Sequence, residues 1–252
     1  MTFNIGSISL GPVPRVAGIV ARPLVTRELD DLRRSGVSIL EFRADQFAGG
    51  PDALLQYLAA TDFSGFARLG TIRVDYPADT PLRPATPPIF ESRAAAFERL
   101  LPFVDAIDVE VESPERESLT RLAHDAGRLV FLSSHDFTKT PTAARFEEIV
   151  SEAENLKVDI LKLAVFAHNP EDLQRLLAFT RDCPFARRVT IAMGEYGLLS
   201  RVAAPFFGSL ISYGFIDEAN APGQLSVADL HAEFLRYHPA YRADFETRLR
   251  GT

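Results

Sequence analysis

Lys162 carries the most chemical promise in this sequence. It lies inside DILKLAV (159–165), apolar on both sides, where an ammonium group is costly to bury. Two readings are open for it. A strand-end lysine can bury its stem and lift its charge into water. Alternatively, desolvation and nearby cations lower its pKa, leaving an amine that attacks a carbonyl; Arg43, Arg73 and Arg201 are available as those cations. His135, in SSHDF (133–137), ends the preceding apolar run and so falls laterally beside Lys162. It is either a structural hydrogen-bonding group or, next to an imine-forming lysine, a proton carrier near neutral pH.

These two residues belong to a longer series. Glu41 and Arg43, Arg73, Glu110 or Glu112, His135, Lys162 and Met193 each stand near the end of an apolar run. From Arg43 through Arg73, Glu110, His135 and Lys162 to Met193 the steps are 30, 37, 25, 27 and 31 residues. Two further stretches are distinctive. In MGEYGLLSR (193–201), Arg201 is either a solvated arginine after a turn or a bidentate anchor for a carboxylate. NAPGQLS (220–226) reads as a loop with a Pro-Gly turn, from which Gln224 can close over a ligand. His124, His168, His231 and His238 fall in helical, loop or tail segments, and no His/Asp/Glu trio has metal-ligand spacing on one element, so no catalytic metal is expected. GxGxxG, GxxxxGK[ST] and GxSxG are all absent.

The elements that must position these residues alternate along the chain. The short apolar runs are AGIVA (17–21), VSILEF (37–42), RLGTIRV (68–74), AIDVEV (106–111), LVFLSS (129–134), DILKLAV (159–165), RVTIAM (188–193) and GSLISY (208–213). Amphipathic segments lie at 26–36, 52–60, 92–101, 117–127, 143–156, 170–182 and 225–237, with Pro51 and Pro170 at helix starts and Gly36 and Gly127 at helix ends. Near-continuous apolar strands suit a parallel sheet covered on both faces. Eight such units in 252 residues match the repeat of a (β/α)8 TIM barrel, whose chemistry sits at the C-terminal ends of the strands. A doubly wound sheet would want a Gly-rich turn after its first strand, where Ala21-Arg22-Pro23 stands instead. The start, 2–11, reads as a small hairpin closing the barrel floor, and the Pro-dense stretch 75–90 as a loop. The expectation is one domain over 1–252.

Composition narrows the class further. The chain has 46% hydrophobic and 24% charged residues and a formal net charge of −7, which disfavours a nucleic-acid partner. Its one cysteine, Cys183, excludes an internal disulfide and fits a cytoplasmic location. The first positive charge is Arg15, and no run approaches the 18 or so apolar residues of a membrane span, so neither a secretory leader nor a membrane segment is expected.

EFRADQF (41–47), TIR (71–73), SSHDFTKTP (133–141), DILKLAV (159–165), MGEYGLLSR (193–201) and APGQ (221–224), taken in this order, resemble type I 3-dehydroquinate dehydratase, the Schiff-base enzyme of the shikimate and quinate pathways. The resemblance implies a (β/α)8 barrel without metal or organic cofactor, acting on a small molecule and commonly homodimeric. It implies that Lys162 forms an imine with the C3 ketone of 3-dehydroquinate. His135 would move protons at C2 and at the departing C1 hydroxyl, and Arg201 would pair with the substrate carboxylate. Glu41, Arg43 and Arg73 would orient the ring hydroxyls and the lysine, Met193 would pack on the ring, and Gln224 with Asn220 would come from the lid. The family's Glu-Gly-Gly after the TIR segment, whose glutamate orients the histidine, has no counterpart: Pro77 stands near that position, and Asn220 stands where a lid serine is common. Two other functions fit less well: an imine-forming barrel for another keto acid, and a non-catalytic sensor of such a metabolite.

Overall fold

A computed structural model describes residues 3–73, 92–219, 221 and 223–250. The Pro-dense stretch 75–90, with Pro77, and the lid residue Asn220 lie outside them. The chain opens with an antiparallel hairpin, β1 (Phe3–Ile5) and β2 (Ile8–Leu10). Eight further strands follow: β3 (Arg15–Val20), β4 (Val37–Arg43), β5 (Ala67–Thr71), β6 (Ala106–Glu110), β7 (Leu129–His135), β8 (Ile160–Phe166), β9 (Arg188–Met193) and β10 (Ile211–Phe215). The helices are α1 (Thr26–Arg34), α2 (Gly50–Ala60), α3 (Arg93–Leu100), α4 (Arg116–Asp125), α5 (Ala143–Leu156), α6 (Pro170–Asp182), α7 (Ser200–Ala203), α8 (Val227–Tyr237) and α9 (Pro239–Arg250).

The eight strands pair in parallel in the order β10-β3-β4-β5-β6-β7-β8-β9. The circle closes where Leu210 donates its N–H to the Arg188 carbonyl at 2.9 Å, beside a parallel bridge between Arg188 and Ser209. This is the expected barrel, with the expected hairpin at its start. The strand forecasts hold within three residues, the last among those furthest off. Its run begins at Gly208, but 204–207 form a tight helical turn ending on that glycine, so β10 starts only at Ile211. Side-chain caps start several helices: Ser92, Thr142, Asn169 and Ser226 accept the N–H three residues on, satisfying a donor the helix cannot.

Two apolar layers hold this arrangement. The larger lies between barrel and helices and includes Phe42, Phe97, Phe146, Leu176 and Phe234. The smaller fills the barrel interior with Ile39, Leu69, Ala106, Phe131, Ile160, Val189 and Ile211. Ile5 and Leu10 of the hairpin join that inner cluster, so the hairpin plugs the floor with side chains.

Strand periodicity then decides what stands above the floor. Successive side chains alternate faces, so every second residue points inward. Stepping two residues from the floor layer reaches Glu41, Thr71, Asp108, Ser133, Lys162, Ile191 and Tyr213. Two more reach Arg43, Arg73, Glu110, His135, Ala164 and Met193. The barrel is therefore apolar below and ionic above, toward the C-terminal ends of its strands.

Candidate active site

Lys162 stands in the first polar layer, 5% exposed. Its Nζ donates to Glu41 Oε2 and to Asp108 Oδ2, each at 3.1 Å, and lies 4.3 Å from the centroid of the Tyr213 ring. Both carboxylates are braced from behind. Thr71 Oγ1 donates to Glu41 Oε1 at 3.0 Å, and Ser133 Oγ donates to Asp108 Oδ1 at 2.5 Å. Burial, the largest influence on the ammonium, pulls its pKa down, but Asp108 and Glu41 outweigh that and the net shift is upward. This corrects the expectation of a lowered lysine pKa. Two of the three arginines invoked for lowering it are themselves paired with carboxylates: Arg43 forms a buried two-point contact with Asp45 at 2.7 and 3.1 Å. Arg73 donates to Glu110 at 3.0 Å and lies 3.6 Å from Asp108.

Glu110, not Glu112, is the acidic member of the upper layer. It is shared between Arg73 and Arg93, and Arg93 at the start of α3 also donates to the Ile72 carbonyl and Ser113 Oγ, each at 2.9 Å. Glu112 turns outward to Ser134 and Arg145. Asp108 carries the opposite shift to its lysine. Burial favours its neutral form most, but Lys162 and Arg73 overcome this and hold it well below the ordinary carboxylate range.

His135 lines the same cavity as Lys162, stacked on Phe137 with ring centroids 6.2 Å apart. Its Nδ1 is buried with no hydrogen-bond partner among the described residues. Burial first, then the charges of Arg73 and Lys162, push its pKa well below the usual value. The imidazole is therefore neutral near pH 7 and has a nitrogen free to take a proton.

Arg201 sits at another wall of the cavity, 2% exposed. It donates from Nε to the Gly223 carbonyl at 2.9 Å and from Nη1 to the Tyr213 carbonyl at 3.1 Å. No carboxylate pairs with it among the described residues, and burial alone pulls its pKa down to about 10. Carbonyls leave its charge uncompensated, and the guanidinium is the kind of group a carboxylate pairs with in two hydrogen bonds. Backbone geometry places it. A Cβ on Gly197 would meet the Ala192 carbonyl carbon and the Met193 oxygen at 2.5 Å, so only glycine lets the chain turn this tightly out of β9. A Cβ on Gly223 would come within 2.4 Å of the Gly194 oxygen, so the Gln224 loop rests on the same turn.

Glu41, Arg43, Arg73, His135, Lys162, Met193, Arg201 and Gln224 thus line one cavity. Sequence reasoning passed over Asp108, Ser133 and Tyr213. The first was legible in principle as an acid inside the apolar run AIDVEV. Tyr213 is buried, and the Lys162 ammonium is the one hydrogen-bonding neighbour of its hydroxyl among the described residues. Among the described residues, no group of three or more His, Cys, Asp or Glu side chains could hold a metal ion, and no helix is long and apolar enough to cross a membrane.

A parallel barrel with a buried lysine, a histidine and an arginine without a carboxylate partner gathered at the C-terminal ends of its strands has the make-up of a barrel enzyme. The family model of type I 3-dehydroquinase matches residues 23–237, and this chain belongs to that family. It is 32% identical over 215 residues to a 3-dehydroquinate dehydratase of Hydrogenobaculum sp., covering 84% of this chain and 94% of that protein. Over 229 residues it is 31% identical to a 3-dehydroquinate dehydratase of Klebsiella pneumoniae, covering 84% and 90%. The crystal structure of the Aquifex aeolicus 3-dehydroquinate dehydratase superposes with a TM-score of 0.74 at 27% identity, covering 89% of this chain and 99% of that one.

Proposed function

We propose that this protein dehydrates 3-dehydroquinate to 3-dehydroshikimate through an imine on Lys162. One observation carries the reading: a buried lysine and an uncompensated buried arginine, Arg201, face one cavity that also holds a neutral histidine. A keto acid satisfies both cations at once, its ketone at Lys162 and its carboxylate at Arg201.

The chemistry follows from the protonation states. As Lys162 Nζ adds to the C3 ketone, the ketone oxygen takes up the proton that the ammonium gives up, and His135 accepts a second proton from the nitrogen of the adduct. The resulting carbinolamine hydroxyl accepts the proton back from His135 and leaves as water, forming the iminium. Glu41 and Asp108, which hold the ammonium at 3.1 Å, then hold this cation. Neutral His135 removes a C2 proton, and the enamine expels the C1 hydroxyl as His135 protonates it. Hydrolysis of the conjugated iminium consumes one water and releases the product, so one water is lost overall. Arg43 and Arg73 orient ring hydroxyls, Met193 packs on the ring, and Gln224 reaches the ligand from its loop.

The test is turnover of 3-dehydroquinate, followed by the ultraviolet absorbance of the conjugated enone product. The reading expects a signal from the parent protein and none from Lys162→Ala. A metabolite sensor would bind without the signal, and an enzyme for another keto acid would leave 3-dehydroquinate intact.

We also propose a single catalytic unit over 1–252, working as a homodimer in the cytoplasm. Support for the dimer comes from Tyr196, Leu198, Leu199, Phe206 and Tyr237, large apolar side chains left exposed on 196–206 and at the end of α8. Sedimentation at twice the mass of one chain, lost on Phe206→Glu, would support it. The lone buried thiol of Cys183 supports a reducing compartment.

A further inference from the structure

Tyr213 is a buried polar group that the scheme above leaves unused. It points inward from β10 at the level of Lys162 and lines the same cavity. Its position is held at both ends. The ring lies beneath the Lys162 ammonium, 4.3 Å from Nζ to the centroid, and the backbone carbonyl accepts from Arg201 Nη1 at 3.1 Å. The residue is 3% exposed, and its hydroxyl has no hydrogen-bonding neighbour among the described residues besides the Lys162 ammonium, from which it can only accept, so its own proton has no acceptor there. Phenylalanine would supply the same ring, the same contact with the ammonium and the same main chain, without stranding a hydroxyl. A polar atom retained at that cost, within a ligand cavity, points to a ligand atom as its partner.

The location selects the atom. A carbonyl attacked by Lys162 must bring its oxygen to within one bond of the carbon that binds Nζ, and so close to the ammonium that neighbours the Tyr213 hydroxyl. We infer that Tyr213 is a further catalytic residue, whose hydroxyl donates a hydrogen bond to the oxygen on the carbon that Lys162 attacks. As the C–N bond forms, the C=O electron pair moves onto that oxygen and the phenol stabilises it. As the carbinolamine breaks down, the C–O bond cleaves, the nitrogen lone pair closes the C=N bond, and His135 supplies the proton that departs with water. Tyr213 keeps its own proton throughout. Burial, the main influence on the phenol, raises its pKa, which suits a permanent donor and not a base. The charge of Lys162 and its hydrogen bond lower it, the carboxylates Glu41 and Asp108 raise it, and the net shift is upward.

This inference rests on the imine reading, and Tyr213→Phe tests it separately. Rapid mixing with 3-dehydroquinate, quenched by borohydride at intervals, measures how fast Lys162 is captured. The expected result is imine formation slowed roughly 10- to 100-fold, in the range for loss of one donor to a developing oxyanion. KM should change little, and the melting temperature should equal or exceed the parent's because a buried hydroxyl with no acceptor for its proton has been removed. Unchanged capture and turnover would overturn the role. So would a lower melting temperature, which would mean that the hydroxyl serves a protein partner. A parent protein that forms no adduct would refute the imine reading itself, and the tyrosine's role with it.

Discussion

Lys162 Nζ and Asp108 Oδ2 stand 3.1 Å apart inside the barrel, and each keeps the other charged against its own burial. The lysine's pKa is raised and the aspartate's is depressed. The pair therefore stabilises the fold at neutral pH from both sides. Asp108 contributes above its unfolded value of about 3.9, and that contribution is lost as pH falls toward its depressed folded value. Lys162 contributes below its unfolded value of about 10.4, and that is lost as pH rises toward its raised folded value.

Asp108→Asn removes one half of this arrangement. It should destabilise the protein by about 2–3 kcal/mol, less than the 3–5 kcal/mol for a charge stripped of every partner, because Glu41 remains. Denaturant titrations across pH should show a flatter acid limb than the parent. An unchanged acid limb would mean that the carboxylate does not share the lysine's charge.

His135 adds to the same acid limb, at a higher pH. Its folded pKa lies below the unfolded value of about 6.5, so stability falls as pH drops through that value and the unfolded histidine takes up a proton. His135→Gln should remove that slope. Turnover in His135→Ala should fall roughly 10²- to 10⁴-fold. Mass spectrometry of the reduced adduct should then find substrate that has not lost its C1 hydroxyl. An adduct already dehydrated would assign the C2 proton to another group.

Arg201 separates binding from stability. Arg201→Gln forfeits contacts to two carbonyls but also removes an uncompensated buried charge, so its stability should stay within about 1 kcal/mol of the parent. KM should rise by roughly 100-fold or more, in line with about 3 kcal/mol for a charge-assisted contact. Stabilisation of the parent by carboxylate ligands in thermal shift should vanish in the variant. Equal stabilisation of both would move the anion site elsewhere.

How much of this was legible before the structure depends on which interactions are local. DILKLAV and VSILEF read as strands because a two-residue period and β-branched residues are properties of the chain itself, and Lys162, His135 and Glu41 stood out as polar breaks in apolar runs. The barrel followed from repeating that pattern eight times. What surrounds Lys162 was not legible, because Asp108 lies two strands away in the sheet and 54 residues away in sequence. Hence the lysine's pKa was expected to fall when its partners raise it. Glu110 stood in for Asp108 for a related reason: a strand's end is easier to read than the depth at which an inward residue meets its neighbours. Tyr213 was missed because its strand was placed three residues early and its aromatic ring fits an ordinary core. Helix α9 was not forecast either, since charges interrupt the apolar positions Tyr241 and Phe245.

Gly197 offers a test of how the arginine is positioned. Gly197→Ala forces a Cβ into backbone atoms of Ala192 and Met193 at about 2.5 Å, which the turn can relieve only by shifting. The expected cost is roughly 1–3 kcal/mol, with a larger loss in kcat/KM than in kcat, because Arg201 moves with the turn. A variant with parent kinetics would show that the turn adapts without displacing the arginine.

The imine on Lys162 is the claim on which the rest depends. Incubation with 3-dehydroquinate, reduction with borohydride and peptide mass spectrometry tests it directly. The account predicts one covalent adduct, on Lys162, with a mass showing loss of water from the bound ring. Turnover of 3-dehydroquinate with no trapped adduct, or an adduct on another lysine, would contradict it.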